Sequence, residues 1–447
     1  MYKVSRFNYM VEDGSHMMRL YNSLIGRSSL LIIPSDKKEK ILKMFADCNR
    51  DCWLHDKDFV RLFNSGYIIN ADTDEVSLGL LRKNDIINYP GLLLTILPTE
   101  DCNFRCQYCY EEHKKGKMSQ TVQNSIVKFV QKNIKNYTGL NVGWFGGEPL
   151  EALDVVESLS KRMMNVCKTA RKSYSAGMTT NGYNLDIYTF QLLQQLRVFD
   201  YQITIDGLKE THDKYRYLKD GSGTFDKIIH NLQQIHNLRQ NTFKIDVRTN
   251  FTRESVAELS SYLSFCEEIF GSDPRFSLFV HLVGDWGGTS VRNMSQDILS
   301  NDSYKKLINC IVQFHPQISF KAHLRDLDSF HSKCYASLRN SYVIGSDGIV
   351  YKCTEGFDMP DNQIGILTEE GDLIIDQSKH AKWLDCVDTS DCSYCSKCKY
   401  WGSCLDGSCP KAKIEAYKDS KRNICPRTRE AVLEIMLLIE QDCYEFL

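Results

Sequence analysis

Cys102, Cys106 and Cys109 stand as C-x3-C-x2-C, within Cys102-Asn-Phe-Arg-Cys106-Gln-Tyr-Cys109. At those offsets one loop can wrap three thiolates round a small iron–sulfur cluster. A cubane of four irons takes four ligands. Three local cysteines leave one iron open for direct contact with a substrate or cofactor. Coincidence explains the spacing poorly: among 18 cysteines in 447 residues it is expected roughly 0.03 times. Zinc is the weaker metal, because its sites usually offer two separated ligand pairs.

The other cysteines divide into a field and a scatter. Cys334 and Cys353 are followed by Cys395, Cys398, Cys404, Cys409 and Cys425, with Cys386 and Cys392 nearby. Cys48, Cys52, Cys167, Cys266, Cys310 and Cys443 are dispersed and read as packing or surface residues. Met1 to Met10 lacks the apolar core of a signal peptide. No run reaches the roughly 18 apolar residues of a membrane span. The chain is therefore expected in the cytoplasm, where thiols stay reduced and metal ligation best explains so many cysteines. A net charge of -2 leaves no basic footprint for nucleic acid.

Three segments must position this chemistry. Residues 1–88 read as a hairpin, Tyr2 to Met10 and Met17 to Tyr21 around Glu12-Asp13-Gly14-Ser15, then a strand at Leu30–Ile33. A helix from Ser35 to Cys48, another over His55–Asn64 and a strand at Gly66–Ile69 complete a small winged-helix-like unit. Residues 89–325 alternate between strands and helices. Apolar strands are expected at Leu92–Leu97, Val142–Phe145, Tyr174–Thr179, Tyr201–Ile205, Lys244–Asn250 and Phe276–Val283. Amphipathic helices are expected at Ser119–Asn133, Leu150–Arg171, Asp186–Leu196, Thr224–Leu238 and Glu254–Phe270; in the first, Val122, Ile126, Val130 and Ile134 share one face. Six βα repeats imply a parallel sheet with right-handed crossovers and ligands at its carboxyl ends. The cysteine loop directly follows the first strand. Residues 326–447 are loop-rich, with a hairpin signal at Ser346-Asp347-Gly348 and a short helix at Ala431–Ile439. Apolar periodicity is thin from Asp385 to Pro410, so metal is expected to hold this segment together.

With Tyr108 before its last cysteine, the first motif resembles the radical S-adenosylmethionine (SAM) superfamily, and further motifs agree in order. Gly146-Gly147-Glu148-Pro149 ends the second strand and resembles the motif whose backbone and carboxylate hold the methionine amino group. Thr204-Ile205-Asp206-Gly207 ends the fourth and resembles the ribose-contacting strand end, with Thr204 as the hydroxyl. Arg216, in Thr211-His212-Asp213-Lys214-Tyr215-Arg216, matches an arginine that pairs with the methionine carboxylate. Thr180-Asn181-Gly182 closes the third strand with no assigned contact; Arg248 and Asn250 end the fifth as lesser candidates. The pattern Cys334-x13-Gly348-x4-Cys353, then Cys395-x2-Cys398-x5-Cys404-x4-Cys409, then Cys425, resembles the SPASM domain of peptide-modifying radical enzymes. It departs from that domain in having x4 where x3 is usual before Cys409.

The resemblance implies an α/β fold: a partial (β/α)6 barrel with an N-terminal winged-helix-like domain and a C-terminal iron–sulfur SPASM domain. It implies SAM and three 4Fe–4S clusters. Cys102, Cys106 and Cys109 would hold the first cluster, and Cys395, Cys398, Cys404 and Cys425 the second auxiliary cluster. Cys334, Cys353 and Cys409 would hold the first auxiliary cluster, its fourth ligand being Cys392, Cys386 or a substrate thiolate. It also implies an external electron donor such as flavodoxin or ferredoxin. One electron then cleaves SAM to methionine and a 5′-deoxyadenosyl radical that abstracts hydrogen from a C–H bond.

Two peptide-directed activities compete. Anaerobic sulfatase maturases oxidise a Cys or Ser in a folded protein's motif and carry an aspartate directly after the cysteine matching Cys353. Here Thr354 stands there, with Glu355 beyond. That group also lacks a unit like residues 1–88. Many maturases of ribosomally made peptides begin with a winged-helix element that binds the precursor's leader as an added edge strand. Tyr2–Met10 and its hairpin suit that role. The expected activity is therefore oxidative modification of a precursor peptide, forming a thioether from a cysteine sulfur to a carbon, or a carbon–carbon crosslink with the same parts. The non-enzymatic alternative is an iron–sulfur electron carrier or regulator. The Gly146-Gly147-Glu148 motif and Arg216 speak against it, since a carrier needs no SAM site.

Overall fold

The computed structural model describes residues 1–271, 273–283, 334–384, 397–405, 409–418, 433, 436–437 and 445–447. Two compact units emerge: Met1–Tyr89 with Phe320–Arg339 and Lys382–Leu447, and Pro90–Ser319 with Asn340–Ala381. The first opens with β1 (Tyr2–Val4), β2 (Asn8–Glu12), β3 (Met18–Asn22), β4 (Leu31–Ile33), α1 (Ser35–Ala46), α2 (Lys57–Asn64), β5 (Ile68–Asn70) and α3 (Glu75–Ile87). The expected strand Tyr2–Met10 is two strands: β1 pairs antiparallel with β5, and β2 with β3. The break falls where Ser5 and Phe7 turn inward. Ser5 N donates to Tyr67 O at 2.9 Å, Asn22 Nδ2 donates to Ser5 Oγ at 2.9 Å, and Phe7 is fully buried. The Asp13 carboxylate builds the expected hairpin turn, accepting from Ser15 N, Met17 N and Arg19 Nε.

The second unit is built on β6 (Leu92–Ile96), β7 (Gly139–Trp144), β8 (Ser173–Thr180), β9 (Val198–Thr204), β10 (Lys244–Phe251) and β11 (Phe276–Leu282). These are parallel and adjacent in chain order. Between them run α4 (Gln120–Asn133), α5 (Leu153–Thr169), α6 (Ile187–Gln195), α7 (Lys209–Tyr215), α8 (Phe225–His236), α9 (Arg253–Ala257) and α10 (Leu259–Phe270). The result is a partial (β/α)6 barrel. Helix α4 shows how the sequence dictates it: Ser119 Oγ accepts from Val122 N as an N-cap, and Ile126, Val130 and Ile134 of the apolar stripe are buried. The expected helix Glu254–Phe270 is broken at Glu258, whose Oε1 instead accepts from Leu208 N at 2.8 Å.

Four more strands extend the same sheet. β12 (Ser341–Ile344) pairs parallel with β6, Val343 opposite Thr95. β13 (Ile349–Tyr351), β14 (Gln363–Leu367) and β15 (Leu373–Ile375) follow antiparallel. The expected turn at Ser346-Asp347-Gly348 is present, with Gly348 at φ 82. β12 thereby covers the edge of β6 that β7 leaves open.

Returning to the first unit, β16 (Glu445–Phe446) pairs parallel with β4, giving the order β16-β4-β3-β2. Both faces of β3 and β4 are buried. Met18, Leu20, Leu31 and Ile33 pack with Ile41, Met44, Phe59 and Leu62 of α1 and α2. Tyr9, Tyr21, Leu30 and Ile32 pack on the other side with Tyr400, Cys398 and Cys404. The expected helix Ala431–Ile439 falls almost entirely outside the described residues. Among those described, no helix is long and apolar enough to cross a membrane.

Candidate active site

Strand β6 ends at Ile96, and the chain then forms the cysteine loop. Cys102 is buried, while Cys106 and Cys109 are half-buried. Asp101 Oδ1 accepts from Cys102 N at 2.8 Å, and Lys219 Nζ holds both carboxylate oxygens at 2.9 and 3.0 Å. Phe104 N donates to Cys102 Sγ at 3.3 Å. The loop runs antiparallel beside residues 215–219. Arg105 N donates to Tyr217 O at 2.8 Å, Gln107 N to Tyr215 O at 3.0 Å, and Lys219 N to Asn103 O at 3.0 Å. Backbone pairing thus carries Arg216 to the cysteine loop.

The glycine pair lies against the same loop. A Cβ on Gly146 would sit 2.3 Å from Thr99 O, and one on Gly147 2.3 Å from Asp101 O. Gly147 N and Glu148 N donate to those same two carbonyls at 3.3 and 3.0 Å. Gly146 also has φ 115, a conformation that glycine tolerates best.

A cavity of about 150 Å³ opens at this point. Its lining includes Cys102, Cys106, Cys109, Tyr108, Gly146, Gly147, Thr204 and Arg216, so these sequence candidates converge. Glu111, His113, Thr180 and Asn181 line it as well. Glu148 lies behind the wall, with no exposed surface. Its Oε1 accepts from Leu150 N at 3.0 Å and Thr180 Oγ1 at 2.7 Å, and its Oε2 from Asn181 N at 2.7 Å. Burial raises its carboxyl to about 7. In this arrangement Glu148 ties the end of β7 to the end of β8.

Sequence reasoning did not assign Asp206 a role. The structure makes it the hub of a buried polar cluster. Tyr108 OH donates to Asp206 Oδ2, and Arg216 Nη1 donates to Tyr108 OH at 2.8 Å. Asn250 N donates to Asp206 Oδ1 at 2.8 Å, and Asn250 Nδ2 lies 3.3 Å from Tyr108 OH. Arg216 Nη1 is 4.0 Å from Asp206 Oδ2. Burial pushes the Asp206 carboxyl up, and the Arg216 cation opposes that. His212 braces the cluster. Its Nδ1 accepts from Asp206 N at 3.2 Å and its Nε2 meets Thr224 Oγ1 at 3.1 Å, which donates to Arg216 O at 2.7 Å. Burial, with the Arg216 cation second, lowers the His212 pKa far enough to keep the ring neutral.

These residues suit a cluster and an anionic cofactor. Burial raises the thiol of Cys109 to about 12 and pushes Cys102 and Cys106 up too, and the Cys102 and Cys109 shifts include repulsion from other cysteines of the loop. Metal ligation is what makes such thiolates stable. Among the described residues, no three His, Cys, Asp or Glu side chains converge as one metal ion requires. Buried Arg216 Nε, a donor suited to an acceptor such as a carboxylate, has no hydrogen-bond partner among the described residues.

The auxiliary candidates fall in both units. In the second, Cys353 is buried just beyond β13; Glu355 N donates to its sulfur at 3.3 Å, and Asn362 Oδ1 accepts from Cys353 N at 2.9 Å. In the first, Cys334 is half-buried, Cys398 precedes and Cys404 ends the short helix Trp401–Cys404, and Cys409 is exposed before Pro410–Lys418. Cys386, Cys392, Cys395 and Cys425 lie outside the described residues.

Parallel strands with a three-cysteine loop at their carboxyl ends, above a cavity with an unpaired guanidinium donor, define a partial barrel with a candidate cofactor site. Residues 96–263 match the radical SAM superfamily. It is 24% identical over 216 residues to Fe-coproporphyrin III synthase of Methanosarcina barkeri, covering 48% of this chain and 49% of that protein. This chain thus spans about half the length of that relative. It is 23% identical over 350 residues to the cysteine-type anaerobic sulfatase-maturating enzyme of Clostridium novyi, covering 71% and 87%. Among solved structures, anSMEcpe with bound AdoMet and Kp18Cys peptide superposes with TM-score 0.57 at 20% identity, over 71% of this chain and 89% of that one. Streptococcus suis SuiB bound to precursor peptide SuiA superposes with TM-score 0.53 at 14% identity, over 96% and 100%. These likenesses establish the fold.

Proposed function

We propose that this chain is a radical SAM enzyme that oxidatively modifies a ribosomally made precursor peptide, joining a cysteine sulfur to a carbon as a thioether. When bound, the cluster and SAM supply a carbon-centred radical that takes hydrogen from the peptide. The chain's own residues bind and orient. Cys102, Cys106 and Cys109 hold the cluster; Arg216 offers its unpaired Nε to the methionine carboxylate. Gly146 and Gly147 present bare backbone to the amino end, and Thr204 meets the ribose. Cys334, Cys353, Cys395, Cys398, Cys404, Cys409 and Cys425 are the proposed ligands of two auxiliary clusters, which accept the electron that oxidative coupling releases. Flavodoxin or ferredoxin supplies the initiating electron.

The observation that carries the peptide reading is the edge of the N-terminal sheet. The faces of β3 and β4 are buried and β16 covers β4, but among the described residues β2 pairs only with β3. Bonds from Asp13 N to Met17 O and from Ser23 N to Phe7 O set the ladder's alternation. Asn8, Met10 and Glu12 therefore turn their backbone groups away from β3. Met10 is 43% exposed. An open edge of this kind accepts an added strand, the mode by which a leader segment is bound. The likeness to SuiB, whose structure holds a precursor peptide, supports the reading because it includes nearly the whole chain.

The test is anaerobic incubation of reconstituted full-length protein with reductant, SAM and a short cysteine-containing peptide encoded beside its reading frame. The expected products are 5′-deoxyadenosine and a peptide lighter by one hydrogen pair per link. A thioether consumes a reactive thiol, whereas a carbon–carbon link leaves it open to alkylation. Met10→Pro removes an outward N–H without touching the β2–β3 ladder and should raise KM for a leader-bearing peptide. The sulfatase maturase comparisons support a second reading, oxidation of a single Cys or Ser. Under it, a leaderless peptide would be oxidised and Met10→Pro would change nothing.

A further inference from the structure

We infer that His113 is a positioning residue for the cluster, donating an Nε2–H hydrogen bond to Cys109 Sγ. His113 lies four residues beyond Cys109, and its backbone is left-handed at φ 52, uncommon for a residue with a Cβ. That turn brings the imidazole back to the cysteine loop, where it lines the cavity. Nε2 lies 3.6 Å from Cys109 Sγ, and Nδ1 lies 3.3 Å from Glu100 O. Once Cys109 ligates a metal, both neighbours are acceptors. A neutral ring has one N–H to offer. The thiolate carries charge and so takes the single N–H, leaving Nδ1 and Glu100 O as two acceptors in contact without a hydrogen bond.

Glu100, beside the ring, is itself anchored. Its Oε1 accepts from Ser346 N at 3.1 Å and Ser346 Oγ at 2.9 Å in the β12–β13 turn. Lys115, two residues after His113, reaches Asp347 Oδ2 at 2.8 Å and Tyr351 OH at 3.0 Å. His113 is thus held between two anchors on the hairpin that leads into Cys353. A strained backbone held by neighbours on both sides marks a residue placed for a task. Hydrogen bonds to cluster sulfurs help set the reduction potential, by stabilising the more negative reduced state.

This inference rests on the three cysteines holding the cluster and not on the peptide reading. The experiment is a potentiometric titration of reconstituted full-length protein, following the EPR signal that responds to SAM. His113→Leu should lower the midpoint potential, and His113→Gln, which keeps an N–H, should recover part of the shift. Equal potentials in wild type and His113→Leu, at full iron content, would overturn the inference. Should a variant lose the cluster, wild-type protein carrying heavy-nitrogen histidine decides the matter. Its reduced, SAM-free cluster should show a histidine nitrogen coupling by pulsed EPR, and no coupling would overturn the inference. Absence of any SAM-responsive signal would refute the cluster assignment itself.

Discussion

Gly147→Ala should displace the cluster loop while leaving the barrel folded. A Cβ at this position would lie 2.3 Å from Asp101 O, 2.6 Å from Asp101 C and 2.9 Å from Glu100 O, all backbone atoms. Ordinary contact begins at 3.4 Å, so the Glu100–Asp101 backbone must retreat by about 1.1 Å. No flexible side chain stands there to yield instead. Retreat is opposed by the Glu148 N bond to Asp101 O at 3.0 Å and by the grip of Lys219 on the Asp101 carboxylate. Overpacking of this kind costs ~1–3 kcal/mol. Cys102 is the next residue, and a misplacement of ~1 Å near a reacting centre can lower rates on the order of 100-fold. The assay is iron content, EPR and 5′-deoxyadenosine formation after anaerobic reconstitution, with circular dichroism to verify the fold. Gly116→Ala is the control, since a Cβ there meets nothing within 4 Å. A wild-type rate of 5′-deoxyadenosine formation in Gly147→Ala would refute the claim that this contact seats the loop.

Arg216→Leu removes the nearer cation from buried Asp206, leaving only the weaker influence of Arg248, a loss of up to ~3–5 kcal/mol in chemical denaturation. Adding Asp206→Asn should recover most of that stability but not SAM affinity, which falls by ~1.5–3 kcal/mol for a lost charge-assisted bond. Wild-type affinity in the double variant, measured by anaerobic calorimetry, would show that Arg216 does not meet the cofactor. Folding lifts the Glu148 carboxyl from an ordinary 4.5 to about 7 through burial. A raised carboxyl stabilises the fold fully below pH 4.5, and that contribution, on the order of 3 kcal/mol, is lost as pH rises through 7. Urea unfolding of the cluster-free chain should show wild type losing more stability with rising pH than Glu148→Gln, and parallel pH profiles would sink the assignment.

The barrel strands were legible because each is a short apolar run between amphipathic stretches, and consecutive βα units place consecutive strands side by side. The β12–β6 pairing was not, because nothing in a four-residue strand says which distant edge it will join. Helix α3 has no counterpart in the sequence reading, and its Gly79 is explained only by tertiary packing, since a Cβ there would lie 2.3 Å from the Trp401 ring. At the site, motifs gave positions but not partners. The glycine pair announced a close backbone approach without revealing that the approaching backbone is Thr99 and Asp101. Glu148 read as a carboxylate for the methionine amino group, and the sequence did not reveal that it is buried and braces two strand ends. Asp206 bonds Tyr108 from 98 residues away and Asn250 from 44, separations across which local spacing carries no information.

The Tyr108–Asp206 bond also constrains the shape of the barrel. Tyr108 follows β6, whereas Asp206 follows β9 and Asn250 lies near the end of β10, three and four strands along the sheet. Neighbouring strands are ~4.8 Å apart, so in a flat sheet the β6 and β9 ends would be separated by ~14 Å. A tyrosine cannot span that from its own strand. The bond forms because the sheet curves and because the cysteine loop leans across it, held by its pairing with residues 215–219. The loop is therefore secured on three sides: by the glycine pair beneath, by the Arg216 segment alongside, and by Tyr108 on the far strand ends. Loss of any one support should shift the cysteines relative to Arg216, the distance that must stay fixed if a cofactor is to bridge cluster and guanidinium.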